Sequence, residues 1–252
     1  MKLTILGCDG AGVPTGSGHL VEHAGTRLVA DLGNGVLGEL ARHADLDAVD
    51  GLFLTHLHAD HVSDFPAFAL LRRFRGARPF PVFGPPGTRA LLERLVALFH
   101  ADPAPYLAPF EVHELAAGFR ARVGSLEVEA APVAHNVPAF ALRARPAAGG
   151  PLLVYTGDTR AGPEALEAAR GADLLLAEAT FQDPRPGAAA EPSRAHHMTA
   201  REAGALARGA AAKRLVLTHL TMLLDRSVST REAREAFDGP VDVASAGRVF
   251  PL

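Results

Sequence analysis

His56-Leu57-His58-Ala59-Asp60-His61 puts four metal-capable side chains within six residues, directly after the apolar run Gly51-Leu52-Phe53-Leu54-Thr55. Imidazole and carboxylate are ligands that zinc and its first-row neighbours accept. The alternation lets His56 and His58 converge on one metal while Asp60 and His61 approach a second. Two metals about 3.5–4 Å apart can clamp a water and polarise a phosphoryl or carbonyl oxygen. Hydrolysis at a metal pair is the chemistry this array implies.

The elements around the array must hold it rigidly. Short apolar runs alternate with helical patterns, and no repeat of 20–50 residues stands out. Strands are expected at residues 3–7, 19–22, 27–31 and 51–55, with a hairpin at Gly25 and a helix at 36–43. Ser63 is expected to cap a helix whose first turn tolerates Pro66. A strand at 81–84 and a helix at 87–99 follow, then a proline-rich loop at 101–109. In the second half, strands are expected at 110–114, 126–133, 139–145, 152–156, 174–178, 215–218 and 242–244. Helices are expected at 163–170, 199–209 and 230–237, and a surface loop at 183–194. This order argues for two packed sheets with helices outside. No linker divides residues 1–252, so a single domain is expected.

Composition narrows the setting. Hydrophobic residues make up 48% and charged residues 21%, the balance of a globular protein with a substantial core. A net charge of −3 provides no global basic field for avid, non-specific nucleic-acid binding. Lys2 and Lys213 are the only lysines among 25 basic residues, which with the abundant Ala, Gly and Pro suggests a GC-rich bacterial genome. Cys8 is the only cysteine, so no internal disulfide forms, and a buried hydrophobic role is expected for it. No signal-peptide core or bilayer-length apolar run is seen, so a cytoplasmic location is expected.

Three further metal-capable residues sit at the ends of expected strands: His135 after Val133, Asp158 after Thr156-Gly157, and His219 after Thr218. Loops on a rigid sheet can present ligands from distant sequence positions. With the array they form a set: His56, His58 and His135 for one metal, Asp60, His61 and His219 for the other, and Asp158 bridging. Asp31 is a candidate carboxylate for fixing the tautomer of a ligand histidine. His19, His23, His43, His100 and His113 read as surface or satisfied core histidines. The run Arg72-Arg73-Phe74-Arg75-Gly76-Ala77-Arg78 reads first as a solvated helix end favoured by the dipole. Its alternative is a phosphate contact.

The order of these motifs, with Asp158 in Tyr-Thr-Gly-Asp-Thr and His219 in Leu-Thr-His, resembles the metallo-β-lactamase superfamily. The resemblance runs from Leu3 to about Val249. It implies an α/β fold, a four-layer αβ/βα sandwich of two mixed sheets with helices on the outer faces and the site at one edge. It also implies two divalent metal ions, zinc first and manganese as the alternative, and a homodimer. Asp158 in place of a cysteine resembles the dinuclear hydrolases of the superfamily rather than the zinc β-lactamases.

Residues 132–143, Ala177-Glu178-Ala179-Thr180-Phe181 and His197-Met198-Thr199 resemble the tRNase Z branch of phosphodiesterases. That resemblance makes Glu178 the partner that orients His197, and His197 the group that protonates the leaving oxygen. His196 is the neighbouring competitor. Asp60 would hold the water that attacks phosphorus. Ala177 replaces the histidine of the branch motif, residues 146–151 make a short turn where the tRNA-gripping arm would lie, and Leu220-Thr221-Met222-Leu223-Leu224 lacks the usual Ser-x-Arg-Tyr. The expectation is therefore a small or unstructured phosphodiester, small-molecule or nucleic-acid, with no membrane partner. The alternatives are tRNA 3′-processing, lactone or thioester hydrolysis at the same metals, and a non-catalytic metal-binding sensor.

Overall fold

The computed structural model describes residues 1–75, 78–184 and 192–252. Its strands are β1 (Lys2–Gly7), β2 (Gly18–His23), β3 (Thr26–Ala30), β4 (Gly51–Phe53), β5 (Phe80–Gly84), β6 (Phe110–Glu114) and β7 (Arg120–Val123). There follow β8 (Leu126–Val133), β9 (Ala139–Pro146), β10 (Leu153–Tyr155), β11 (Leu174–Glu178), β12 (Leu215–Thr218), β13 (Val241–Val243) and β14 (Val249–Pro251). One sheet has the order β14-β1-β2-β3-β4-β5-β6 and the other β13-β12-β11-β10-β9-β8-β7. Both are mixed: each joins antiparallel hairpins to a parallel run, β3 to β6 in the first and β10 to β13 in the second.

The helices are α1 (Val36–His43), α2 (Ala59–Val62), α3 (Phe65–Phe74), α4 (Thr88–Ala97), α5 (Ala104–Leu107), α6 (Pro163–Ala169), α7 (Ala200–Gly209) and α8 (Arg226–Ala236). Alternation along the strands makes the layers. Leu3 and Ile5 join Phe53, Leu142, Leu153, Tyr155 and Leu176 between the sheets, whereas Leu6 faces outward with Val36, Leu40, Phe65, Phe68 and Leu92. On the opposite outer face Leu175, Leu215 and Leu217 pack beneath alanines of α6, α7 and α8. Each fully buried Leu, Ile, Val or Phe contributes about 1.5–3 kcal/mol, so three such clusters hold the four layers together.

Several local expectations need correction. The stretch 101–109 contains one helical turn, α5. Pro103 sets its backbone at the start, its carbonyl accepts from Tyr106 and Leu107, and Asp102 accepts from the Ala104 amide. Ser63 caps nothing, because its hydroxyl donates back to the Ala59 carbonyl. Asp64 stands before α3, and its carboxylate accepts the Leu37 amide of α1 instead. The last helix begins at Arg226, four residues ahead of expectation, because Asp225 accepts the Ser227 amide and caps it. Residues 192–196 form a 3₁₀ turn, and 185–191 of the expected loop lie outside the described residues. Strands β7 and β14 are edge strands that the sequence did not announce.

Cys8 is free and buried, with burial pushing its thiol up to about 11. The basic run is largely committed within the fold. Arg72 is buried with its guanidinium 4.3 Å from the Phe80 ring, Arg75 pairs with Asp45 and Asp47, and Arg78 pairs with Asp50. Among the described residues no helix is long and apolar enough to cross a membrane.

Candidate metal centre

All the sequence-derived candidates but His197, which follows the 3₁₀ turn 192–196 ahead of α7, lie where a strand ends at one edge of the sandwich. Asp31 follows β3, Thr55 and the histidine array follow β4, and His135 follows β8. Asp158 follows β10, Glu178 ends β11, and His219 follows β12. Two of these turns use backbone that side chains rarely adopt: Asp31 has φ 61° and His219 φ 57°. Strain at such positions costs about 1–3 kcal/mol and persists where the surroundings over-determine it. Here the strain turns both side chains into the cluster.

The ligand-capable atoms gather in three groupings: His56, His58, His135 and Asp158; Asp60, His61 and His219; and Asp158, His197 and His219, which overlaps the other two. In the first, His58 Nδ1 is 3.0 Å from His56 Nε2 and 3.3 Å from His135 Nε2. Nitrogen ligands about 2.0–2.1 Å from a tetrahedral zinc would stand roughly 3.3–3.4 Å apart, so the ring spacing suits a shared cation. In the second, His219 Nε2 lies 3.3 Å from both Asp60 Oδ2 and Asp158 Oδ2. Asp158 also reaches His61 Nε2 at 3.4 Å and His56 Nε2 at 3.7 Å, which places it between the groups.

The hydrogen bonds assign the ring protons. His61 Nδ1 lies 2.8 Å from Asp31 Oδ2, and His135 Nδ1 lies 3.1 Å from the His196 carbonyl. Both oxygens only accept, so each Nδ1 carries a proton and Nε2 is the nitrogen presented to the cluster. His61 Nε2 and Asp158 Oδ1 are buried and face each other at 3.4 Å, yet neither makes a hydrogen bond. Orphaned buried acceptors are costly. Two in one anionic, imidazole-rich cluster fit divalent cations, and the donor set suits zinc or manganese.

The charges agree. Burial opposes charge on His61, yet Asp158 and Asp31 hold its pKa well above the ordinary range. His219 is likewise raised: burial opposes its charge, and Asp158 and Asp60 more than offset it. Burial lowers His56, His58 and His135, which keeps those rings neutral. Asp158 is held well below the carboxylate range; burial would raise it, but His219, His61 and His56 prevail.

Glu178 is fully buried beside this cluster. Its Oε1 lies 3.0 Å from His197 Nδ1, and His197 stacks on His219 with centroids 5.7 Å apart. Burial opposes charge on His197, but Glu178 raises its pKa through a hydrogen bond and its charge. His196 instead gives its backbone carbonyl to His135. Thr55, Tyr155 and Thr180 also bond into the site, and sequence reasoning did not single them out. Tyr155 donates to Asp31 at 2.9 Å. The available signals were adjacency for Thr55, which precedes His56, and motif membership for Thr180 in Ala177-Glu178-Ala179-Thr180-Phe181 and for Tyr155 in Tyr-Thr-Gly-Asp-Thr. His19 is neither exposed nor satisfied: it is buried edge-on against Tyr155, neither ring nitrogen has a partner, and burial drives its pKa down to about 3.

Close backbone approaches complete the centre. A Cβ on Gly33 or Gly16 would collide with the Asp60 carbonyl, so glycine lets both loops grip that turn. Gly157 has φ 57°, and a Cβ there would lie 2.7 Å from Thr55 Cβ. Gly157→Ala is expected to cost about 1–2 kcal/mol from left-handed backbone alone, with the Thr55 collision adding to it. Urea unfolding in chelator measures this, and an unchanged midpoint would refute it.

A model described as Beta-lactamase superfamily domain matches residues 26–220. An uncharacterized protein of Mycobacterium leprae is 35% identical over 100% of this chain and 89% of its own length. Ribonuclease Z of Myxococcus xanthus is 32% identical, with 100% of this chain and 98% of that protein covered. Its alignment runs to 307 positions against 252 residues here, so the relative carries insertions that this chain lacks. Among solved structures, the metallo-beta-lactamase fold protein YhfI from Bacillus subtilis superimposes with a TM-score of 0.85 at 25% identity, covering 99% of this chain and 98% of that one.

Proposed function

Because the chain belongs to the β-lactamase superfamily, a hydrolase family with the metallo-β-lactamase fold, we propose that it is a dinuclear metal-dependent phosphodiesterase acting on a small or unstructured phosphodiester. The observation that carries this reading is the Glu178–His197 pair, 3.0 Å apart and packed on the ligand cluster. Phosphodiester cleavage expels an alkoxide, which a positioned imidazolium can protonate. A thioester hydrolase, which expels a less basic thiolate, has less need of such an acid, and a lactone, which also expels an alkoxide, is separated by turnover.

His56, His58 and His135 would hold one divalent ion, Asp60, His61 and His219 the other, and Asp158 both. When bound, the two ions supply Lewis-acid polarisation of the phosphoryl oxygen and acidify a water. The chain's own residues do the rest. Asp60, kept ionised by its hydrogen bond with His219 against the effect of burial, orients the attacking water and accepts from it. Glu178 accepts a hydrogen bond from His197 Nδ1–H, so that the proton the imidazolium can give up is the one on Nε2. The Glu178 charge also offsets the repulsion that nearby cations exert on an imidazolium.

The insertions present in the Myxococcus relative and absent here favour a substrate smaller than folded tRNA. Purified protein reconstituted with zinc or manganese is expected to hydrolyse bis-p-nitrophenyl phosphate well above its turnover of lactones and thioesters. Background phosphodiester turnover beside rapid lactone turnover would reverse the assignment.

A further inference from the structure

Each half of the sandwich carries one buried carboxylate hub. On the first sheet, Asp31 accepts the Thr55 amide at 2.7 Å, the Thr55 hydroxyl at 2.8 Å and His61 Nδ1 at 2.8 Å. On the second, Glu178 accepts the Thr180 hydroxyl at 2.6 Å and His197 Nδ1 at 3.0 Å. It also takes the amides of Thr159 and Met198. Each hub therefore holds one histidine directly.

Each hub also reaches a second histidine through a threonine. Thr55 Oγ1 is 3.2 Å from His56 Nδ1, and Thr180 Oγ1 is 2.8 Å from His219 Nδ1. A hydroxyl has one proton. Since a carboxylate only accepts, that proton goes to Asp31 or Glu178, and the hydroxyl lone pair must face the ring N–H. The threonine thus places a ring proton on Nδ1 and makes Nε2 the nitrogen presented to a cation. Those Nε2 atoms are the ones in the cluster: His56 Nε2 lies 3.0 Å from His58 Nδ1, and His219 Nε2 lies 3.3 Å from Asp158.

Resting on the two-ion reading, we propose that Thr55 and Thr180 are matched positioning residues, each fixing the tautomer and orientation of one metal-ligand histidine, Thr55 for the three-histidine group and Thr180 for the Asp60 group. Both threonines are buried, so no solvent supplies a substitute partner readily. The carboxylate–threonine–histidine arrangement recurs on opposite sheets, from β3 and β4 on one side and β11 and β12 on the other. Thr180 Oγ1 also lies 3.2 Å from His197 Nδ1, but that ring has Glu178 Oε1 at 3.0 Å, so the shorter 2.8 Å contact assigns the hydroxyl to His219.

The test is ion affinity rather than turnover. Thr55→Val is titrated with zinc against a chromogenic chelator in an Asp60→Ala background, which retains the three-histidine group. Thr180→Val is titrated in a His58→Ala background, which retains the Asp60 group. Loss of an orienting partner beyond the ligands weakens binding about 10–100-fold, and that loss is expected in each matched pairing. The crossed pairings should stay within about threefold of their backgrounds, well inside the same scale. Thr→Ser, which restores the hydroxyl, should recover affinity, while the metal-free melting temperature separates binding from folding. If a valine variant does not fold, Thr→Ala removes the hydroxyl without the new methyl. Undiminished affinity in the matched pairings, equal losses in matched and crossed pairings, or serine without rescue would each overturn the proposal. Wild type that takes up two ions while the variants lose none overturns it alone. Wild type that takes up none overturns it together with the reading beneath it.

Discussion

His197→Ala is expected to lower kcat by about 10²–10⁴-fold on an alkyl phosphodiester, the scale of a lost general acid. On bis-p-nitrophenyl phosphate the loss should be much smaller, because p-nitrophenolate departs without protonation. That contrast separates acid catalysis from damage to the centre, which would depress both substrates alike. Metal content should remain that of wild type, since the His197 nitrogen nearest Asp158 is Nδ1, at 3.9 Å, and that nitrogen is committed to Glu178. Glu178→Gln should reproduce the pattern in weaker form, because the amide cannot offset charge on the imidazolium. Equal losses on both substrates would remove His197 from the acid role.

Asp158→Asn should have a larger effect still. Its oxygens lie 3.3 Å from His219, 3.4 Å from His61 and 3.7 Å from His56, so one carboxylate serves both groups. The amide removes the charge and brings a donor into the cluster. Ion content should fall from two per chain to one or none. Turnover should drop about 10³-fold or more, as a water acidified to near pH 7 reverts toward its bulk value of about 15.7.

The same charges predict how wild type responds to pH. A ligand histidine must lose its proton to bind a cation. His61 and His219 have raised pKa values, so protons compete harder for their group, which should release its ion first as pH falls. His56, His58 and His135 are lowered, so theirs should hold to lower pH. Metal analysis after dialysis against buffers of stepwise falling pH should show two ions, then one, then none. Loss of both in a single step would contradict the asymmetry.

Much of the centre is legible in the sequence because metal chemistry restricts residue types and sheet edges restrict position. The histidine array, His135, Asp158 and His219 each follow an apolar run, and all enter the cluster. Asp31 was readable as an orienting carboxylate, although its partner, His61, required the cross-strand geometry. Thr55 and Thr180 were not readable as orienting groups, since a threonine beside a strand is ordinary and its meaning depends on a hydroxyl's neighbours in space.

The fold follows the same division. The helix at 36–43 and the strands at 126–133, 174–178 and 215–218 match the structure because continuous or alternating apolar runs specify them. Edge strand β7, Arg-Ala-Arg-Val, pairs on one side only and needs little apolar signal. Strand β14 contains a proline, which an edge tolerates. Helix α8 begins within a polar stretch that only the Asp225 cap distinguishes.

The most direct measurement is zinc titration of metal-free protein with phosphodiester turnover read at each equivalent. The two-ion reading predicts little activity with one equivalent and a steep rise completed at two, abolished again by chelator. Background turnover with two ions bound, or full turnover in chelator, would contradict it.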